Sequence, residues 1–229
     1  MKIPHKKILV ASLIINVILG GSGLYLVGRA FYWKVVKPTL RDYYQNKISL
    51  YRYYVKTGST IVFAGDSLTD RCDWAELLGR CDVLNRGIDG DTTNGLLERI
   101  GDITHIKPAK IFIMIGGNDF VFGNDKTDIV DNYRKIIARI RAESPGTMIY
   151  IQSVLPTVYR IVPIRRSTIK ELNAELKSMA DGRQVVYIDV YSRLVDLRGD
   201  LNHFYTLDGA HLNGPGYQIW KETILPYLQ

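Results

Sequence analysis

Four short segments hold side chains able to make and break a covalent bond. The run Thr60–Ala64 is apolar and rich in β-branched residues, and it stops abruptly at Gly65-Asp66-Ser67. Asn85 to Thr93 reads NRGIDGDTT, Gly116 to Phe120 reads GGNDF, and Tyr205 to Tyr217 reads YTLDGAHLNGPGY. A serine placed where a strand turns into a helix exposes its hydroxyl, with its own N–H near the positive end of the helix dipole. That hydroxyl is inert until a base takes its proton, and histidine is the base to look for. The chain has His5, His105, His203 and His211. His5 precedes a long apolar run, and His105 approaches a strand from the wrong end. Of the two late histidines only His211 has an acid in tight register, Asp208. Ser67, His211 and Asp208 are therefore the candidate nucleophile, base and orienting carboxylate. A tetrahedral intermediate also needs donors for its oxygen. The backbone N–H of Gly90, the side-chain amide of Asn118 and the N–H of Ser67 are the candidates.

These residues need a frame that brings them together. Strand-like runs occur at Thr60–Ala64, Asp82–Leu84, Lys110–Ile115, Met148–Gln152 and Val185–Asp189, each bounded by turn-forming residues. Helical spacing occupies Trp74–Leu78, Thr93–Ile103, Asp128–Ala142, Arg166–Ala180 and Gly216–Leu228. Such alternation predicts an α/β fold with a parallel sheet covered on both faces. Ligands of these sheets collect at the carboxyl ends of the strands. Taken alone, each motif is ordinary: Gly-Asp-Ser and Gly-Gly-Asn-Asp suit turns, Asp91-Thr92-Thr93 suits a helix N-cap, and Asp208–His211 suits a surface pair. Their common place on one rim is what joins them.

The segments FAGDSLTD, NRGIDGDTT, IGGNDF and DGAHLNGPGY resemble, in order, the four sequence blocks of the GDSL, or SGNH, hydrolase family. The likeness runs from about Thr60 to the C-terminus. It is strongest for the branch holding acetylhydrolases of the platelet-activating-factor type and bacterial lysophospholipase or thioesterase relatives. It implies a flavodoxin-like three-layer α/β/α sandwich around a five-stranded, mainly parallel sheet. It also implies hydrolysis of carboxylic esters through an acyl-enzyme, without metal or organic cofactor. Ser67 would be the nucleophile, His211 the base and Asp208 its orienting partner, with Ser67, Gly90 and Asn118 forming the oxyanion hole. Asp89 departs from the pattern, since relatives often have Gly or Ser there. A carboxylate at that position either repels anionic substrates or faces solvent.

Other readings keep some of these residues. An acyltransferase would pass the acyl group to a sugar hydroxyl of a cell-envelope glycan, and an inactive relative would be a membrane-tethered binding protein. A metal-dependent phosphoesterase would use Asp66, Asp119 and Asp208, but the histidine-rich ligand set of such sites is missing. The segments 120–125 and 157–166 are candidate walls for a substrate pocket. In the second, Tyr159, Arg160, Arg165 and Arg166 suit either an anionic headgroup or a solvated basic loop.

The first 58 residues are a different material. Residues 8–28 contain no charge, and 21 helical positions span roughly 30 Å, the thickness of a bilayer core. An uncleaved membrane anchor over 1–28 is expected, followed by a basic, Tyr-rich helical stem over 29–58 and the hydrolase domain over 59–229. A short N-terminus beside such an anchor places the hydrolase domain outside the cytoplasm. The net charge of +7 is misleading as a whole. Residues 1–58 carry 10 Lys and Arg against one acid, or +9, and the remainder carries 20 against 22, or −2. The basicity thus belongs to the stem, where cations and aromatic rings suit anionic headgroups, and nucleic acid is not an expected partner. An ester substrate and the membrane are the expected ones. Cys72 and Cys81 suit a disulfide outside the cytoplasm and ordinary small residues within it; their spacing is not that of a zinc site.

Overall fold

The computed structural model describes residues 37–53, 60–157 and 164–229, with single positions at 25, 27, 28, 30 and 34. The chain divides into two units, Met1–Asn46 and Lys47–Gln229. Helix α1 (Lys37–Tyr53) starts in the first and ends in the second. The expected anchor falls almost wholly outside the described residues. Among the described residues no helix is long and apolar enough to cross a membrane.

In the second unit β1 (Ile61–Gly65), β2 (Val83–Gly87), β3 (Lys110–Met114), β4 (Met148–Gln152) and β5 (Val185–Ile188) form one sheet. Its order is β2-β1-β3-β4-β5, and every neighbouring pair is parallel. Helices α2 (Ser67–Asp70) and α3 (Trp74–Leu78) follow β1, and α4 (Thr93–Thr104) follows β2. After β3 come α5 (Gly117–Val121) and α6 (Lys126–Glu143); after β4 comes α7 (Arg166–Ser178). Helices α8 (Tyr191–Leu194) and α9 (Gly214–Ile224) follow β5.

Strands β1, β3, β4 and β5 read as mainly apolar runs because both faces of the sheet are covered. Successive side chains point to opposite faces. Val62, Ala64, Ile111, Ile113 and Ile151 join one core with Leu96 and Ile100 of α4, Ile129, Tyr133 and Ile136 of α6, and Leu172 of α7. Ile61, Phe63, Phe112, Met114 and Tyr150 join the other with Trp74, Leu194, Trp220 and Ile224. The sheet is thus the middle of three layers. On the second face the rings form a stack: Phe63 lies 4.1 Å from Trp74 and 4.9 Å from Phe112, and Phe112 lies 4.5 Å from Tyr150.

Several bounds differ from the sequence expectation, each for a local reason. β2 continues to Gly87 because Asn85 is satisfied there, its amide donating to the carbonyls of Thr69 and Cys72 at 2.9 Å each. The last helix begins at Gly214, capped by the Asn213 side chain accepting from the Gly216 N–H. It gives way at Leu225–Tyr227 to a 3₁₀ turn holding Pro226, which has no N–H to continue an α-helix. Cys72 and Cys81 form no disulfide. Cys72 is buried and Cys81 exposed, and burial pushes the Cys72 thiol up to about 12.

Candidate active site

Ser67 opens α2 directly beyond β1, and Asp66 caps that helix by accepting the Leu68 N–H at 3.1 Å. The turn is possible because Gly65 has no side chain: a Cβ there would lie 2.2 Å from the Met114 carbonyl oxygen and 2.3 Å from Thr69 Oγ1. The late loop brings His211 over the serine, with Nε2 at 3.1 Å from Ser67 Oγ. The other ring nitrogen, Nδ1, lies 2.7 Å from Asp208 Oδ2. Asp208 Oδ1 accepts the N–H groups of Ala210 at 2.9 Å and His211 at 2.8 Å. Burial works to raise the Asp208 pKa, but the His211 ring and these amides outweigh it and hold the carboxyl below the usual carboxylate range. An ionised Asp208 keeps the proton on Nδ1, which leaves Nε2 as an acceptor facing the hydroxyl.

The two other expected donors lie on the next two loops. Gly90 sits at a left-handed φ of +76° in a turn closed by the Asp91 N–H donating to the Ile88 carbonyl at 3.1 Å. Asn118, at the start of α5, donates one amide hydrogen to the Asp91 carbonyl at 2.9 Å, which orients the amide and leaves its second hydrogen. Ser67, Asn118 and His211 line one cavity of about 350 Å³. Gly90 stands next to Asp89, which also lines it. Much of the wall is apolar: Leu68, Ile115, Val121, Val154 and Leu155. Asp89 does not stand alone: Arg71 donates to its carboxylate at 2.6 Å, and this partly solvent-exposed pair lines the cavity.

The remaining candidates fall elsewhere. His203 is exposed in a 3₁₀ turn and His105 is exposed at the end of α4. Val121 and Thr157 represent the two expected wall segments in the cavity, while Tyr159 and Arg160 lie outside the described residues. Arg166 donates to Asp200 at 2.7 Å, so it is engaged on the surface. Among the described residues no group of three or more His, Cys, Asp or Glu side chains could hold a metal ion. Asp119 instead braces the start of α4, which Thr92 caps: fully buried, it accepts the Thr93 N–H at 3.0 Å and the Thr93 hydroxyl at 2.6 Å.

Two further residues support the site, and the first carries no motif. Arg99, on α4 and almost fully buried, donates to Asp91 at 2.9 Å and to the carbonyls of Arg86 at 2.9 Å and Gly65 at 3.2 Å. One side chain thus ties the ends of β1 and β2 to the Gly90 loop. Its only signal is an arginine on the apolar face of a helix. The second is Asp66, whose carboxyl burial pushes up to about 7, aided by the nearby Asp91, Asp119 and Asp89 carboxylates against the Leu68 N–H.

The model of the GDSL-like lipase/acylhydrolase family matches residues 63–219, a stretch containing every residue of this site. The chain belongs to that family. As a GDSL-like acylhydrolase it is a hydrolase, and its family's chemistry is the hydrolysis of esters. The chain is 29% identical over 164 residues to subunit alpha2 of platelet-activating factor acetylhydrolase IB from Rattus norvegicus, covering 69% of this chain and 70% of the relative. The Gallus gallus alpha2 subunit is 27% identical over 163 residues, with the same coverage. A Streptococcus pneumoniae structure named for platelet activating factor is 30% identical, covers 87% of this chain and 99% of its own, and superposes with a TM-score of 0.79. A GDSL-like lipase from Bacteroides thetaiotaomicron shares the fold at 23% identity and a TM-score of 0.72.

Proposed function

We propose that this GDSL-like acylhydrolase is a serine esterase that removes a short acyl group through a Ser67 acyl-enzyme. The observation that carries the reading is the continuous line from Asp208 through His211 to Ser67 Oγ, with links of 2.7 and 3.1 Å. His211 Nε2 takes the Ser67 proton as Oγ attacks the ester carbonyl. The carbonyl oxygen, now negative, is met by the N–H groups of Ser67 and Gly90 and by the Asn118 amide. The imidazolium, stabilised by Asp208, returns the proton to the departing alkoxide. Water repeats the cycle on the acyl-enzyme and releases the acid.

The cavity supports a short acyl chain, since about 350 Å³ is near the lower limit for a small-molecule pocket. The acetylhydrolase names of the mammalian and avian relatives point the same way. We propose further that residues 8–28 anchor the protein in a membrane, on the ground of their uncharged length. That would bring the site to lipid or envelope-glycan esters. A p-nitrophenyl ester series tests the central reading: acetate and butyrate should be turned over faster than decanoate. Ser67→Ala should lose at least about a thousandfold in kcat on every member. Full turnover by that variant would overturn the assignment.

A further inference from the structure

The expected oxyanion loop, residues 88–90, is held from outside the family's four blocks. Residues 47–53 of α1 belong to the same compact unit as the site. Lys47 Nζ lies 2.5 Å from Asp70 Oδ1, and the Asp70 side chain is only 5% exposed. The other oxygen of that carboxylate, Oδ2, accepts the N–H of Asp89 at 3.0 Å. One turn further along, the Tyr51 hydroxyl donates to the Gly87 carbonyl at 2.5 Å, and the Arg86 guanidinium lies 4.6 Å over the Tyr51 ring. The loop is thus gripped at both ends of its approach, at the Gly87 carbonyl and at the Asp89 amide.

We infer that Lys47 and Tyr51 are positioning residues that set the Gly90 N–H against the Ser67 N–H, an inference that rests on the esterase reading above. The two donors sit on separate segments, one on α2 and one on the loop after β2. Asp70 is the last residue of α2, so its bond to the Asp89 N–H ties those segments together. The Asp89–Gly90 peptide, whose N–H is the donor, follows directly. Arg71, the residue after α2, takes the Asp89 carboxylate and closes a second tie. A carboxylate as buried as Asp70 is anchored by the charge and the donors around it. Lys47 supplies the charge. Removing it loosens the carboxylate that holds the Asp89 amide, and the Gly90 donor drifts from the place where negative charge develops. A displacement near 1 Å is enough to slow a reaction by up to about a hundredfold.

Lys47→Met, Lys47→Arg, Asp70→Asn, Tyr51→Phe and the double variant Lys47→Met/Asp70→Asn of the full chain test this. The readouts are p-nitrophenyl acetate kinetics and the rate of Ser67 labelling by a fluorophosphonate. Lys47→Met should lower kcat and the labelling rate by about tenfold to a hundredfold, with KM within about twofold of wild type. Lys47→Arg should restore most of the rate, Tyr51→Phe should lose severalfold, and the double variant should be no slower than Asp70→Asn alone. A folded Lys47→Met variant with wild-type kcat, or losses that multiply in the double variant, overturns the inference. If Lys47→Met does not fold, wild-type kcat in Tyr51→Phe does the same. A wild type that the probe leaves unlabelled overturns the esterase reading, and this inference with it; labelled wild type and unchanged variants overturn the inference alone.

Discussion

At the scale of single residues, the site places two carboxyls in opposite conditions a short distance from one hydroxyl. Asp208 is on a loop, hydrogen-bonded by two amides and an imidazole, and stays charged. Asp66 is buried beside three other carboxylates, and its pKa is about 7. The linkage sign follows from the direction of that shift. Between about pH 4 and pH 7 the folded protein holds a proton on Asp66 that the unfolded chain has released, so this group makes stability fall as pH rises through that window. Its contribution is at most about 4 kcal/mol. Asp66→Asn keeps an acceptor for the Leu68 N–H and removes the titration. Urea unfolding at pH 4.5 and 7.5 should show the wild type losing more stability across the interval than the variant. Equal losses in the two proteins would contradict the assignment.

At the scale of elements, the nucleophile's helix is only one turn long and cannot hold itself. Its carbonyls are pinned by side chains from elsewhere: Trp74 Nε1–H donates to the Thr69 carbonyl at 2.9 Å, and the Tyr217 hydroxyl donates to the Leu68 carbonyl at 2.8 Å. Trp74 also ends the aromatic stack on that face of the sheet and is 1% exposed. Trp74→Ala should therefore cost about 3–5 kcal/mol of stability by denaturant unfolding, and Trp74→Phe clearly less. A loss under about 1 kcal/mol for the alanine variant would show that the stack carries little of the fold.

At the scale of the molecule, a parallel sheet with two covered faces explains which parts were legible in the sequence. Buried strands had to be apolar runs, so β1, β3, β4 and β5 stood out. Ser67 after β1 and Asn118 and Asp119 after β3 stood out because they interrupt a core pattern, and Asp208 and His211 because of their close spacing on the late loop. β2 was cut short because Asn85 and Arg86 look like the end of a strand until the carbonyls that satisfy Asn85 are in place. Arg99, Asp119 and Lys47 serve the site through partners 8 to 34 positions away, and no local spacing announces such contacts. The pairing of Asp89 with Arg71, which answers why a carboxylate is tolerated at the cavity, was hidden for the same reason.

The central claim is that the Ser67 hydroxyl is activated by His211. Its most direct measurement is mass-spectrometric mapping of a fluorophosphonate adduct on the folded full chain. The adduct should fall on the peptide containing Ser67, disappear in Ser67→Ala, and form at least about a hundredfold more slowly in His211→Ala. An adduct on another residue, or undiminished labelling when His211 is removed, would contradict the account.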